Sequence, residues 1–464
     1  MTEATLVLEG DVSADNEIFF GHPRGVLYLS MTEAWERFSF YGMRTLLILY
    51  MVQELLLPGH IEHVAGMLRF RALLEGVLGH MSTQAFASQV FGLYAGLVYF
   101  TPMFGGWLAD RFFGARTVVL AGIALMTAGH FAMAFEQSVL IALTLLVLGS
   151  GCLKGNIASQ VGPLYPAGDE GRRAQGYAIF STGINIGAMI GPFVCGLLGE
   201  IYGWSVAFGT AGVMMVVAAT IYLSGQRYLA DERPIRKSSR AGPKLSSDQW
   251  RMIVLIVIVI MVGLMESLGY DQMYNVGLIW VDARVNSVTP FGSIPTAWFA
   301  SIDAGVEVLS VPILIALWRW QARRGTEPDE LNKIAIGAVL MGLGNATLAI
   351  GAAYAGAGKA SLWVPLLAYP LIGFAFVWYW PVTLALVSRH APKPVRAVMM
   401  AGAYFVAFCS GVGSGFFGRF YEPLGDVGFW ALIAAISVSG ALMLMLVGPW
   451  LRRTIASTEA RISD

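Results

Sequence analysis

The chain has 464 residues, 56% hydrophobic and 13% charged, and its 30 basic side chains balance 30 acidic ones to a formal net charge of zero. A mean hydropathy of +0.64 excludes a fully solvated surface and points to an integral membrane protein whose first partner is the lipid bilayer. Charges of both signs are spread over many loops, so no basic tail for nucleic acid is present and no nucleic-acid partner is expected.

The segment before the first apolar run, "DNEIFFGHPRG", has neither a basic region nor a small-residue cleavage site, which predicts no cleaved signal peptide. A bilayer core takes about 20 apolar residues per helix. Twelve windows of that kind follow, at 25–53, 84–109, 116–135, 138–158, 173–199, 205–225, 250–280, 296–320, 332–355, 361–388, 395–417 and 427–450. They are too long and continuous for barrel strands, which alternate in segments of about ten residues. The fold class is therefore all-α, with twelve transmembrane helices. Lys and Arg collect in "DRFFGAR", "DEGRRAQG", "RYLADERPIRKSSRAGPK", "RWQARRGTEPDELNK", "SRHAPKPVR" and the tail, while "GEIYGW", "AAYAGAGKAS" and "YEPLGDVG" are poor in them. The positive-inside rule then places both termini in the cytoplasm. The polar stretch Gln226 to Gln249 divides the chain into a first bundle (1–225), a cytoplasmic linker (226–249) and a second bundle with its tail (250–464).

The first span carries Glu33, Glu36, Arg37 and Arg44, and with Phe40 and Tyr41 these share one face at helical pitch. Intramembrane charges mark pathways or proton relays, although a buried ion network that only fixes packing has the same pattern. Between the second and third spans, "GGWLADRFFGAR" sets Asp110, Arg111 and Arg116 at a tight turn suited to locking neighbouring helices. In the fourth span a lone Lys154 calls for an acid, with Glu33 or Glu36 as partner. Gly183, Gly187 and Gly191 in the fifth span form a close-packing face, and Asn185 lies between them. The second half adds Glu266 and Asp271, then Asp303 and Glu307 four residues apart, a pair expected to keep one carboxyl protonated. His60 and His63 lack a third ligand and are expected in a solvated loop. Cys152, Cys195 and Cys409 are too far apart for a metal motif and read as reduced packing residues. No nucleophile, metal or phosphate motif suggests an enzyme, and no cofactor is implied.

"ExxERFSFYG" from Glu33 to Gly42 resembles the first-helix signature of the proton-dependent oligopeptide transporters, within the major facilitator superfamily. "GGWLADRFFGAR", "GSGCLKGNIASQVGPLYP", "RRAQGYAIFSTGINIGAMIGPFVCG", "YDQ" and "PVTLALVSRHAPKPVRAVMM" follow in family order. The resemblance implies the major facilitator fold and proton-coupled import of di- or tripeptides, or of peptide-like molecules, across the inner membrane. It implies that protons are the coupling ion, with Glu33, Glu36, Arg37, Lys154 and Asp271 in the coupling. Arg37 and Lys154 would hold the substrate carboxylate, and Tyr41, Tyr99 and Asn185 would line the site. Arg44 with Asp271 would form one gate, and Asp110 with Arg111 part of another. The sequence also departs from the family. The usual tyrosine pair is Phe40-Tyr41, the tenth-helix glutamate that receives the peptide amine is Phe376, and the eighth-helix asparagine is Asp303. Asp303 or Glu307 is therefore expected to meet a cationic substrate group in its place. The rival expectations are a carrier of a non-peptide organic acid, with Phe376, Trp378, Tyr379 and Trp380 as an aromatic wall, and a membrane sensor without turnover.

Overall fold

A computed structural model describes residues 18–19, 21–166, 168–230, 245–290 and 292–463. A two-residue hairpin, β1 (Ile18–Phe19) on β2 (His22–Pro23), leads into α1 (Arg24–Tyr50), which runs on through a π-helical turn at Met51–Leu55. A short amphipathic helix, α2 (Met67–Leu78), lies in the connection between the first and second spans. The second span is split into α3 (Thr83–Phe100) and α4 (Pro102–Leu108), because Pro102 suits a first helical position but offers no N–H to continue the preceding helix.

Then come α5 (Ala115–Met133), α6 (Val139–Ser159), α7 (Glu170–Tyr202) and α8 (Trp204–Gly225). Asp169 caps α7 by accepting from the Arg172 N–H, so "RRAQG" opens this helix and is not a loop. In the second half, α9 (Ser247–Gln272) begins at a reciprocal capping box of Ser246 and Gln249 and passes through a π-helical turn into α10 (Leu278–Arg284). A second hairpin, β3 (Val288–Thr289) on β4 (Gly292–Ser293), precedes α11 (Trp298–Arg323), α12 (Glu330–Ala355), α13 (Trp363–His390) and α14 (Arg396–Gly418). The last element, α15 (Tyr421–Ser463), bends at Gly425 (φ +64°) and carries the tail on as helix past the predicted end of the span. Residues 231–244, the centre of the predicted linker, lie outside the described residues.

Ten of the described helices are long and apolar enough to cross a membrane. The other two of the twelve segments are α1, which carries four charged side chains in its interior, and the broken α3–α4 pair with Gln84 and Gln89. The outer surface is apolar, with Leu446 81% exposed, as a lipid-facing helix requires. The protein is a multi-pass membrane protein.

Packing is densest between α1 and α7, between α5 and α6, between α12 and both α13 and α15, and, across the halves, between α3 and α14. The glycine row of α7 lies against α1, where a Cβ at Gly187 would overlap the Ala34 carbonyl oxygen and one at Gly191 that of Phe38. These glycines set interhelix distance, as their spacing predicts. Across the two halves, a Cβ on Gly92 of α3 would stand 2.6 Å from the Gly411 oxygen of α14. Side-chain bonds that join the halves gather at the end that carries α2. Gln53 donates to Asp282 at 2.6 Å, Gln84 to the Gly418 carbonyl at 3.2 Å, and the Trp298 indole N–H to the Phe193 carbonyl at 2.9 Å.

Candidate functional site

The charged face of α1 is buried, with none of Glu33, Glu36, Arg37 and Arg44 more than 8% exposed. Arg37 gives two N–H groups to a single oxygen of Glu33, from Nε at 2.8 Å and Nη2 at 2.6 Å, the i,i+4 geometry that one helix supplies by itself. Its Nε also lies 3.1 Å from Glu36. Neither carboxylate oxygen of Glu36 makes a hydrogen bond among the described residues.

Lys154 does not complete this network as expected. Its Nζ has no described hydrogen-bond partner, and lies 4.0 Å from the ring centre of Phe40 and 4.8 Å from that of Tyr99. The reason is local: Arg37, on the same helix as both acids, is already in contact with each, while Phe40 offers the ammonium a ring face in place of a hydroxyl. The Arg37 guanidinium lies 5.8 Å from the same ring. Both cations thus share Phe40.

Two turns along α1, Arg44 reaches α9 and bonds Asp271 at 3.0 Å, the pairing that the resemblance implied. Three further residues that sequence reasoning missed hold this pair. Ser410 of α14 donates to the other Asp271 oxygen at 2.5 Å, and the Arg44 guanidinium lies 4.5 Å from the Tyr274 ring and 5.7 Å from that of Phe91. Tyr274 stands three residues after Asp271, a helical spacing that would have placed it on the same face.

The acids of α11 are brought together by a tyrosine of α9 and one of the π-helical turn that follows it. Tyr270 Oη lies 3.0 Å from Asp303 Oδ2 and 3.0 Å from Glu307 Oε1, and Tyr274 Oη lies 2.8 Å from the same Asp303 oxygen. Asp303 is fully buried against Gly373 of α13, where a Cβ would strike its other oxygen. One turn along α13, Phe376 stacks on the Tyr270 ring with centroids 4.6 Å apart. The position of the lost glutamate is therefore one aromatic ring from the two new acids. Trp380 stacks on the far side of Phe376, Tyr379 meets it edge-on, and Trp378 turns away toward Trp318.

Other predicted residues stay apart from these clusters. Asn185, two positions off the glycine row, is half-buried with no described side-chain bond. Asp110 and Arg111 are exposed on a π-helical turn, and among the described residues neither forms an ion pair, so the expected lock is not closed here. Side-chain bonds that join the halves are gathered at the opposite end. Glu266 is fully buried, with neither oxygen bonded among the described residues. In the connection between the first and second spans His60 lies 3.1 Å from Glu136. On α2, a hydrogen bond from Arg71 and another from the Met81 N–H hold the Glu75 carboxyl below its ordinary range.

Residues 115–242 and 237–416 match the model of the PTR2 family, described as the POT family. The chain belongs to the POT family. An uncharacterized transporter of Bacillus subtilis (strain 168), YclF, is 28% identical over 94% of this chain and 96% of its own length. A di-/tripeptide transporter of Lactococcus lactis subsp. cremoris is 27% identical over 94% and 97%. Among solved structures, a mutant of the peptide transporter POT in complex with alafosfalin superposes with a TM-score of 0.84 at 25% identity, over 95% of this chain and 97% of that one. With that likeness the major facilitator fold is established for this POT-family chain.

Proposed function

We propose that this protein imports di- and tripeptides, or peptide-like small molecules, together with protons across the inner membrane by alternating access, with both termini in the cytoplasm. The observation that carries this reading is the buried Glu33–Arg37–Glu36 network of α1, set beside Lys154 and on the same helix as the Arg44–Asp271 bridge between the halves.

Buried charges are retained only where they are paired or used. One oxygen of Glu33 accepts two N–H groups of Arg37, whereas Glu36 has one ion contact and no hydrogen bond. Of the two α1 acids Glu36 is thus the less compensated and the residue at which a proton would be carried. Protonating it loosens its hold on Arg37, and Lys154, resting on a ring face without an acid partner, is poised for the carboxylate of a substrate. Tyr99 and Tyr41 stand beside this end and would contact the peptide backbone. Asn185 belongs to the same wall by its place on α7. Asp303 and Glu307, next to Phe376, form the opposite acidic end for a cationic group. The Arg44–Asp271 bridge holds the halves together toward the α2 end and must part for the site to face the other side. Asp110 and Arg111 would pair in that alternate state.

Uptake of labelled dialanine into proteoliposomes tests the proposal. An inward proton gradient should drive accumulation, and Glu36→Gln should abolish it. Full-rate uptake without a gradient would contradict coupling, and binding without counterflow would identify a sensor.

A further inference from the structure

Counting hydrogens around Tyr270 gives a result that the transport reading does not contain. Three contacts link these two tyrosines to the α11 acids: Tyr274 to Asp303 at 2.8 Å, Tyr270 to Asp303 at 3.0 Å and Tyr270 to Glu307 at 3.0 Å. Two phenol hydroxyls supply two hydrogens, and a carboxylate supplies none. A single hydroxyl hydrogen points along one direction, so the Tyr270 oxygen must donate along one contact and accept along the other. Asp303 Oδ2 already receives Tyr274, and receiving Tyr270 as well fills both its lone pairs. One of the two acids must then carry a hydrogen, and because Asp303 Oδ2 meets both phenols, which favours its anion, that hydrogen falls to Glu307.

The surroundings agree. On α11 the titratable groups are Asp303 and Glu307 themselves. From α9 and the turn after it come Tyr270 and Tyr274, from α1 Tyr41 and Arg44, and from α13 Tyr369 and Tyr379. The packed face of α7 brings Met189, near Gly305, and no charge. Arg44, the cation of the set, is bonded to Asp271. Neither α11 acid has an ion pair among the described residues, and two adjacent anions without a cation are strongly unfavourable in a buried site.

We infer that Asp303 and Glu307 form a carboxylate–carboxyl pair that stores one proton on Glu307 and exchanges it for the cationic amino group of a substrate. The step balances. The Glu307 O–H bond breaks, its proton leaves to water, and the arriving ammonium takes its place against two carboxylates, with no change of oxidation state. Tyr270 then turns its hydroxyl from acceptor to donor toward Glu307. Substrates with and without an amine would consequently move with different proton counts, a property separate from the Glu36 coupling on α1. The amine-for-proton exchange rests on the peptide reading, whereas the stored proton does not.

Two measurements on the purified full chain separate these. Calorimetry with dialanine and with N-acetyl-dialanine is run at slightly acid pH, where the free amine is fully protonated, in two buffers of different ionisation enthalpy. Dialanine should release about one more proton than its acetylated analogue, and this difference should vanish in Glu307→Gln and in Tyr270→Phe. Equal proton counts for the two ligands in the unaltered chain would overturn the exchange, and failure of both to bind would overturn the exchange together with the peptide reading. Infrared spectra of the ligand-free chain test the stored proton alone. The protonated-carboxyl carbonyl band should lose one group's amplitude in Glu307→Gln, and an unchanged band would overturn the pair whatever the ligands do.

Discussion

Glu33 and Glu36 on α1 face an arginine, whereas Asp303 and Glu307 on α11 face two tyrosines. The first pair shares one guanidinium, which leaves a single excess negative charge that one proton removes. The second has hydroxyl donors and no counter-cation, so it must hold a proton or attract a positive charge from outside. One protein thus encloses two acid pairs in two ways, and in the proposed function the difference would divide proton coupling from recognition of the substrate's cationic end. The Arg44–Asp271 bridge lies between them, tied to both halves.

The comparison breaks most sharply under isosteric neutralisation. Glu36→Gln should reduce gradient-driven uptake to the level seen without a gradient, while Asp303→Asn should keep gradient dependence and weaken binding of amine-bearing peptides about tenfold or more, the loss of roughly 1.4 kcal/mol. Concentrative uptake measured beside binding distinguishes the two, and equal loss of gradient dependence in both variants would erase the division. Arg44→Met should come next, because a buried Asp271 left without its partner costs about 3–5 kcal/mol. The double variant Arg44→Met/Asp271→Leu should recover much of the lost thermal stability, and a double variant no more stable than the single would show that the bridge is not a charge pair in energetic terms.

A smaller effect concerns Phe40. Thermal unfolding of Phe40→Leu, Lys154→Met and the double variant should reveal a coupling of about 2 kcal/mol, appropriate to a desolvated ammonium on an aromatic face. Additive losses would place Lys154 with the acids instead. The smallest effect lies outside both clusters, at Glu75. Its carboxyl is held low by Arg71 and the Met81 N–H, so the stabilisation of α2 is fully present above the ordinary glutamate value of about 4 and is lost as pH falls below it. Protection of the Met81 amide, relative to its intrinsic exchange rate at each pH, should fall in acid, and Arg71→Met should move that onset to higher pH.

Much of this architecture was legible because membrane helices declare themselves by length and hydropathy. The α1 charges stood out in the same way, since an apolar run makes each ionisable group conspicuous. The Arg44–Asp271 pair was legible through motif resemblance, because 227 residues separate its members and no local spacing connects them. Lys154 shows where such reading ends: its need for a partner was evident, but whether an acid or a ring met it depended on Arg37 reaching Glu33 and Glu36 first. Tyr270 and Tyr274 share a helix face with the acids they serve only after α9 and α11 are packed together. Asp110 and Arg111 carry a motif whose lock depends on the state of the two halves, and a motif specifies residues without specifying a state.

Proton movement itself is the most direct test of the central claim. Proteoliposomes holding a trapped pH-sensitive dye, with an inside-negative potential and no initial pH gradient, are mixed with dialanine. The account predicts prompt acidification of the lumen that requires the peptide and disappears in Glu36→Gln. Dialanine entering the same vesicles without acidification would contradict it.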